Sequence, residues 1–280
     1  MFGSKLCLGL TNIGLSGEEQ VRLFRKVGFE GFFAGWSRGC DLEPVMQAAK
    51  EEGMILQSIH APFTKMAAMW KESDATQEAI DELIDCLKDC RKYGAPIMII
   101  HPFIGFTEHT PTEFGLKNYE KVVCAAEELG VKVAFENVEG EEYLAALMKY
   151  FENREIVGFC WDTGHEMCYN YSKDMLALYG DRLICTHLND NLGIRDFGGE
   201  ITWIDDLHLL PFDGIGDWQD IAARLDRCGY RDILTFELSV ISKPHRHEND
   251  CYARMPLQEY LAECYKRACR VAALRRMNMA

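Results

Sequence analysis

Short apolar runs alternate with amphipathic stretches along the chain, and this alternation predicts a repeated arrangement of strand followed by helix. The apolar runs are continuous, which is typical of strands buried on both faces, as in a parallel sheet covered by helices. The predicted strands lie at residues 6–10, 31–34, 54–60, 96–101, 131–136, 156–162, 182–187 and 233–237.

The stretches between these strands carry the sequence signals of helices. Ser16 and Glu19 have the spacing of a capping box, and Pro44 falls in a predicted first turn. The first helix follows Ser16, and the others lie at residues 41–52, 74–93, 112–129, 141–152, 172–180, 217–228 and 257–275. Eight such units in 280 residues, without a linker, predict one (β/α)8 TIM-barrel domain over residues 1–280. No Gly-x-Gly-x-x-Gly follows the first strand, which disfavours dinucleotide binding.

Most of the predicted strands end in a residue that can bind a metal ion. These residues are His60, His101, Glu136, Asp162, His187 and Glu237. In a barrel of parallel strands the carboxyl ends meet at one rim, and the active site lies there. Acidic residues and histidine are a minority of the chain, 44 Asp plus Glu and 8 His among 280 residues, so chance does not account for this pattern.

The residue types at these ends favour a hard divalent ion. Glu136, Asp162, His187 and Glu237 come from the last four strands and form a set of three carboxylates and one imidazole. Such a set suits Mn²⁺, Mg²⁺, Co²⁺ or Zn²⁺ and not a closed thiolate zinc site. Taken alone, Asp162 is equally well explained as the cap of the next helix. The joint occurrence of the strand ends favours the metal.

Composition and charge narrow the class of protein. Hydrophobic residues make up 48% of the chain and charged residues 26%, as in an ordinary globular protein, and no apolar run is long enough to span a membrane. We therefore expect a cytoplasmic protein without a membrane partner. A net charge of −14 disfavours nucleic acid as a partner. The 12 cysteines include no Cys-x-x-Cys pair and are interpreted as reduced thiols, several of them in the core.

The ordered set of motifs resembles the xylose isomerase-like TIM-barrel superfamily, and within it most closely the sugar phosphate isomerases/epimerases. The motifs are His60-Ala-Pro, His101-Pro, Phe135-Glu-Asn137, Asp162-Thr-Gly-His165, His187-Leu-Asn-Asp190, Asp206-Leu-His208, Pro211-x-x-Gly-x-Gly-Asp-Trp218 and Phe236-Glu237. The resemblance spans nearly the whole chain. It implies an enzyme that acts on a sugar or sugar phosphate, and often a homo-oligomer.

The resemblance also implies roles for individual residues. Glu136, Asp162, His187 and Glu237 would hold one divalent ion, which chelates a carbonyl and the neighbouring hydroxyl of the substrate. Glu136 and Glu237 would also be the catalytic acid/base pair on opposite faces of the substrate carbon, working through a metal-stabilised enediolate. The candidate substrate-binding residues are His60, His101, His165, Arg195 and Trp161. Trp161 is included because aromatic faces stack on sugars, although a core role fits it equally well.

The same superfamily contains endonuclease IV, an apurinic-site nuclease that uses these positions differently. There the counterparts of His60, His101, Glu136, Asp162, His165, His187, Asp206, His208 and Glu237 bind three zinc ions. Asp206 and His208 are then additional metal ligands; otherwise they hold their long loop closed. The acidic net charge disfavours a nuclease, as does the Leu209-Leu-Pro-Phe-Asp-Gly-Ile-Gly216 that follows. An inosose dehydratase-like lyase is a further alternative.

Two other classes are compatible with parts of the sequence. Gly35-Trp-Ser-Arg-Gly39 matches the nucleophile elbow of serine hydrolases, but Gly39 and Pro44 delay the helix that an elbow requires at once. A ligand-binding barrel without catalysis would keep the metal or sugar site and show no turnover.

Overall fold

The computed structural model describes residues 4–107, 109–194 and 200–278, and its strands form one parallel sheet that curves into a barrel. The strands are β1 Leu6–Gly9, β2 Gly31–Gly35, β3 Ile55–His60, β4 Ile97–Ile100, β5 Lys132–Glu136, β6 Val157–Asp162, β7 Leu183–His187 and β8 Leu234–Phe236. Each strand from β2 to β7 pairs with its predecessor, and β8 returns to pair with β1.

The contact between β7 and β8 is narrower than the other strand pairings. Leu188 and Phe236 form an isolated parallel bridge just beyond the end of β7. The Leu188 N–H donates to the Thr235 carbonyl at 2.8 Å, and the Glu237 N–H donates to the Leu188 carbonyl at 3.3 Å. The barrel is therefore nearly closed, with a seam between the strands that lead to His187 and Glu237.

Helices cover the outside of the barrel, as the apolar pattern predicts. They are α1 Gly17–Val27, α2 Glu43–Glu52, α3 Ala75–Tyr93, α4 Glu113–Leu129, α5 Glu141–Tyr150, α6 Thr163–Cys168, α7 Met175–Tyr179, α8 Trp218–Arg227, α9 Asp250–Ala253 and α10 Leu257–Asn278. The predicted (β/α)8 barrel is confirmed, with most element ends within one or two residues. The short α6 and α9 were not predicted, because four to six residues are too few to show a helical period.

Apolar side chains occupy two separate layers. Between the strands and the helices lies a large cluster that includes Phe24, Tyr119 and Trp161. The barrel interior holds a smaller cluster of buried residues, Ile97, Ile99, Ala134, Cys160 and Cys185. Each of the 12 cysteines is a free thiol. No helix in the described part of the chain combines the length and apolarity needed to cross a bilayer.

Candidate metal centre

The barrel brings the predicted strand-end ligands together at the carboxyl ends of the strands. In β6 and β7, Asp162 lies beside His187 in the parallel register, so both side chains point into the barrel. One ligand atom from each of Glu136, Asp162, His187 and Glu237 lies within 4.8 Å of the others. These four residues form what we call the central group.

The Glu136 carboxylate faces two sets of possible ligands at once. Its Oε1 lies 2.9 Å from His187 Nδ1, while its Oε2 lies 3.3 Å from both His60 Nε2 and His101 Nε2. The side chain is fully buried. A second group, the histidine group, consists of His60, His101 and Glu136, whose ligand atoms also lie within 4.8 Å of one another. One carboxylate thus has one oxygen directed to each group, which is the arrangement of a bridging ligand.

A third set of ligands, His165, Asp206 and His208, forms the loop group. His208 Nε2 lies 2.6 Å from Asp206 Oδ2, and His165 Nε2 lies 3.6 Å from Asp206 Oδ1. Asp206 and His208 follow β7 in a long loop, which the paired backbone hydrogen bonds between Asp190 and Leu209 hold against the barrel. The sequence offered loop closure or metal ligation for Asp206 and His208, and the structure places both beside His165.

Three of the histidines share one orientation that suits metal ligands. The Nδ1 atoms of His60, His165 and His208 lie 2.8, 3.0 and 3.3 Å from the backbone carbonyls of Ala61, Asn137 and Glu237. A proton on Nδ1 satisfies each contact and leaves the Nε2 lone pair directed toward a carboxylate. Metal-binding histidines in proteins are commonly oriented in this way.

The electrostatics of the centre are those of carboxylates buried without a fixed cation. Burial raises the pKa of the Asp162 carboxyl to about 6. Burial acts in the same direction on Glu237, but the His187 and His208 imidazoles lower the pKa of Glu237 to about 2. Burial tends to lower the pKa of His208, yet the Asp206 and Glu237 carboxylates raise it to about 9. Without a metal ion, imidazole protons must therefore supply most of the positive charge, together with the Lys243 ammonium beside Asp206.

Hydrogen bonds to both carboxylate oxygens fix the side chain of Asp162. Its Oδ1 accepts from the His165 backbone N–H at 2.6 Å and caps α6, while its Oδ2 accepts from Asn189 Nδ2 at 2.9 Å. Gly164 makes this possible, since a Cβ there would lie 1.9 Å from Asn189 Oδ1. The Asn137 side chain exchanges two hydrogen bonds of 2.8 Å with the Asp162 backbone. Asp162 is therefore a helix cap and a member of the central group.

One of the predicted substrate-binding residues, Trp161, is not brought to this centre. Trp161 lies on the opposite face of β6, fully buried, with its Nε1 donating to Glu166 at 2.8 Å and Arg224 over its ring. Alternation along a strand places neighbouring residues on opposite faces, so an inward Asp162 requires an outward Trp161. Arg195 lies outside the described residues.

The structure adds residues to which the sequence reasoning gave no role. Tyr169 stacks on the ring of His165, with 4.9 Å between centroids, and Phe63 stacks on His101 at 4.6 Å. Lys243 Nζ lies 3.6 Å from Asp206 Oδ2. Asn189 was part of a motif without a function, and its position two residues after His187 was the available signal.

A cavity of about 230 Å³ opens onto the centre. Its polar walls come from Glu237, His208, Lys243, Thr11 and Ser239. The Glu237 side chain is 27% exposed, whereas the Glu136 side chain has no exposed surface. Glu237 therefore offers a carboxylate both to the centre and to a small molecule in the cavity.

Comparison with known proteins agrees with this architecture. The family description "Xylose isomerase-like TIM barrel" matches residues 21–255. The chain belongs to this family. The family match covers all of the strands except β1, and with it the ligands of the three groups.

The proteins that are similar to this chain differ in the activities that their names give. An uncharacterized protein, y4fM, of Sinorhizobium fredii is 29% identical over 194 residues, which are 62% of this chain and 58% of that protein. A probable endonuclease 4 of Mycoplasma mycoides is 24% identical over 150 residues, 48% of this chain and 52% of that one. The chain thus spans little more than half of either curated relative. The structure of an L-ribulose 3-epimerase superposes with a TM-score of 0.72 at 14% identity, over 99% of this chain and 97% of the other, and shows the shared fold.

Proposed function

We propose that this xylose isomerase-like barrel is a divalent-metal-dependent sugar isomerase or epimerase, with Glu237 as the principal proton-transferring residue. The observation that carries the proposal is the convergence of Glu136, Asp162, His187 and Glu237 within 4.8 Å, with Glu237 alone among them lining the 230 Å³ cavity. The named activity of the superposed epimerase supports the same class of reaction.

The residues of the central group fit a divalent ion in charge and in ligand type. Buried carboxylates are costly unless a cation balances them, and the Glu136 and Asp162 side chains are fully buried. A bound ion would supply Lewis-acid polarisation of a substrate carbonyl and of the hydroxyl beside it. Glu136, Asp162, His187 and Glu237 are the residues that would hold it.

Glu237 is placed to move a proton on the substrate. Its carboxylate is ionised near neutral pH, because the pKa lies at about 2, and it borders the cavity beside Lys243. The Lys243 ammonium is a donor for a substrate oxygen in the same cavity. A single carboxylate on one face can carry a proton between adjacent carbons of a sugar, as an isomerase requires; inversion by an epimerase needs a second acid/base group on the opposite face.

We assign Glu136 a role that differs from the acid/base role that the resemblance implied. Enclosed by the imidazoles of His60, His101 and His187, its oxygens have no surface open to a substrate carbon. We propose that Glu136 would help to hold the ion of the central group and would not itself exchange a proton with the substrate. Its loss would then weaken ion binding, whereas loss of Glu237 would remove the proton-transfer step as well.

The completeness of the three ligand groups favours a second candidate, a multi-zinc phosphodiesterase of the endonuclease 4 type. The nine residues that correspond to the zinc ligands of endonuclease IV all lie in the central, histidine and loop groups. A set of ions a few ångströms apart is suited to activating water against a phosphodiester. The net charge of −14 opposes a DNA substrate, which is why this candidate ranks second.

One set of measurements tests both candidates. The protein is stripped by chelation, reloaded with Mn²⁺, Co²⁺, Zn²⁺ or Mg²⁺, and its bound ions are counted by elemental analysis. Each form is then incubated in D₂O with a panel of ketoses, aldoses and inososes, and deuterium incorporation is followed by NMR. Glu237→Gln is expected to slow exchange about 10²–10⁴-fold. Glu72→Gln, an exposed residue outside the three ligand groups, is the matched control with an unchanged rate.

The outcomes separate the candidates. Exchange that requires metal and Glu237 supports the isomerase or epimerase. Absence of exchange on the whole panel, with metal fully loaded, overturns it; cleavage of abasic DNA by the three-zinc form would then establish the second candidate. Failure to bind any divalent ion excludes both.

A further inference from the structure

Lys243 lies beside the loop group, on the segment that follows β8. Its Nζ lies 3.6 Å from Asp206 Oδ2 and 5.5 Å from the centroid of the Trp203 ring. The Lys243 and Asp206 side chains are 22% and 11% exposed. A lysine ammonium is a compact point charge on the chain itself, so it does not have to be acquired from solution. The loop group therefore has a cation of its own at its only carboxylate.

The segment that carries Lys243 is held against the long loop that follows β7. The Ser239 N–H donates to the His208 carbonyl at 3.0 Å. Further along the segment, Arg246 Nη1 lies 3.8 Å from Asp205 Oδ1. Two basic residues of the segment thus face two consecutive aspartates of the loop. These contacts fix the backbone on both sides of Lys243 and keep its ammonium near the loop group.

The loop group differs from the central group in how much negative charge it can offer an ion. It contains one carboxylate, whereas the central group contains three. A histidine that binds a metal ion is neutral, so His165 and His208 would add no negative charge. The Asp206 carboxylate is already balanced by the Lys243 ammonium, and a divalent ion would add two uncompensated positive charges in a largely buried place.

The distances also make the ammonium and a metal ion competitors for Asp206. A metal ion lies roughly 2.0–2.2 Å from a carboxylate oxygen that binds it. An ion on either oxygen of Asp206 would then lie within roughly 6–8 Å of Lys243 Nζ. Positive charges at this separation repel each other strongly where water is largely excluded. Binding of an ion at the loop group is therefore opposed by a charge that the chain carries permanently.

We infer that the Lys243 ammonium takes the place of a metal ion at the loop group, so that this chain binds ions in the central and histidine groups alone. The three-zinc arrangement of endonuclease IV does not fit the loop group for this reason. Lys243 also lines the 230 Å³ cavity together with Glu237. The cation on that wall of the cavity is thus one that chelation does not remove. The inference concerns the number of ions and does not depend on the proposed reaction.

The test counts zinc ions in the wild-type protein and in Lys243→Leu, which removes the charge and adds no ligand atom. Both proteins are stripped by chelation, incubated with excess Zn²⁺, freed of unbound ions by gel filtration, and analysed for zinc per chain. We expect the wild type to bind at most one ion in each of the other two groups, and Lys243→Leu to bind one ion more. That ion should bind at least about 10-fold more tightly than any further ion in the wild type.

Three more variants assign the additional ion to the loop group. Lys243→Arg keeps the positive charge and should keep the wild-type count. Lys88→Leu removes an exposed lysine whose Nζ lies 2.8 Å from Asp85, and it should also leave the count unchanged. Adding Asp206→Asn to Lys243→Leu should abolish the additional ion, because the loop group then has no carboxylate. Circular dichroism establishes that each variant is folded before its ions are counted.

Three zinc ions in the wild type, or equal counts in the wild type and Lys243→Leu, overturn the inference. So does an additional ion that survives Asp206→Asn, or one that also appears in Lys243→Arg or Lys88→Leu. The proposed function is judged separately, by deuterium exchange. Absence of exchange leaves the ion counts unaffected, and a wild type that binds no ion contradicts the proposed function while Lys243→Leu still decides the role of Lys243.

Discussion

Strand β6 separates two clusters of buried charged residues, which differ in how their charges are balanced. On its inner face Asp162 joins the central group, where three carboxylates lie around the His187 imidazole. On its outer face Trp161 underlies Arg224, whose guanidinium makes paired contacts of 2.6 and 2.8 Å with the Glu166 carboxylate and also reaches Asp174. The Glu166 and Arg224 side chains are 8% and 10% exposed.

The outer cluster gives its buried Glu166 carboxylate a permanent counterion, because a guanidinium is always charged and its planar fork matches a carboxylate. Lys243 contacts Asp206 of the loop group, but within the described residues the inner group itself has no such permanent cation. Its charge depends on protons held by His165, His187 and His208, whose pKa values its carboxylates raise against the effect of burial. The comparison teaches that a buried acidic group can be a finished structural element or a place for an exchangeable cation, and that the nature of the counterion decides which.

The largest effect should come from breaking the outer cluster. Arg224→Met leaves the Glu166 carboxylate buried without its counterion, and we expect the free energy of unfolding to fall by about 3–5 kcal/mol. Arg227→Met, the same change at a residue whose side chain is 62% exposed, should cost less than about 1 kcal/mol. Urea denaturation of both variants measures the difference. Similar losses in the two variants would show that the outer cluster is not the stabilising element described here.

An intermediate effect is expected from emptying the inner group. At an ion concentration about 100 times its dissociation constant, binding stabilises the native state by about 2.7 kcal/mol, so chelation should lower Tm by roughly 5–10 °C. Returning the ion should restore Tm, and the Arg224→Met defect should persist with the ion present. An identical Tm before and after proven removal of the ion would contradict the distinction between the clusters.

The smallest effect concerns acid. Burial tends to raise the pKa of Asp174, but the Ala177 N–H and the Arg224 guanidinium lower it below its usual range. A carboxyl with a lowered folded-state pKa contributes stability above its unfolded pKa of about 3.9, and this is lost as pH falls through the folded value. Asp174→Asn should therefore reduce the stability that is lost between about pH 5 and pH 3. The reduction should be less than about 1 kcal/mol, because the Asp174 side chain is half exposed. Denaturation curves across this range measure it, and an unchanged slope in the variant would refute the assignment.

The sequence predicted the inner group better than the outer one, and the reason is topological. Parallel strands of similar length end at one rim, so Glu136, Asp162 and His187 needed only correct strand ends to be brought together. Arg224 lies in α8 and meets Glu166 of α6 across the outside of the barrel. Their distance along the chain, 58 residues, gives no local signal, and α6 itself is too short to be recognised by its period.

Other features depended on packing that no spacing reveals. Strand alternation explains the outward position of Trp161. The stacking of Tyr169 on His165, by contrast, follows from the conformation of the chain after α6. The same holds for the cavity of about 850 Å³ that Tyr169 lines, whose carboxylates come from segments as far apart as Glu139 and Glu200. Such sites are properties of neighbouring loops, and loop conformation is the least determined by local sequence.

The seam between β7 and β8 gives the metal centre a part in closing the barrel. His187 is the last residue of β7, and Glu237 follows β8. Across the seam between these strands, His187 Nδ1 lies 2.9 Å from Glu237 Oε2. An ion held by both residues, as we propose, would cross-link the two edges. Ion occupancy and closure of the barrel would then be one linked equilibrium, in which each favours the other by the same free energy.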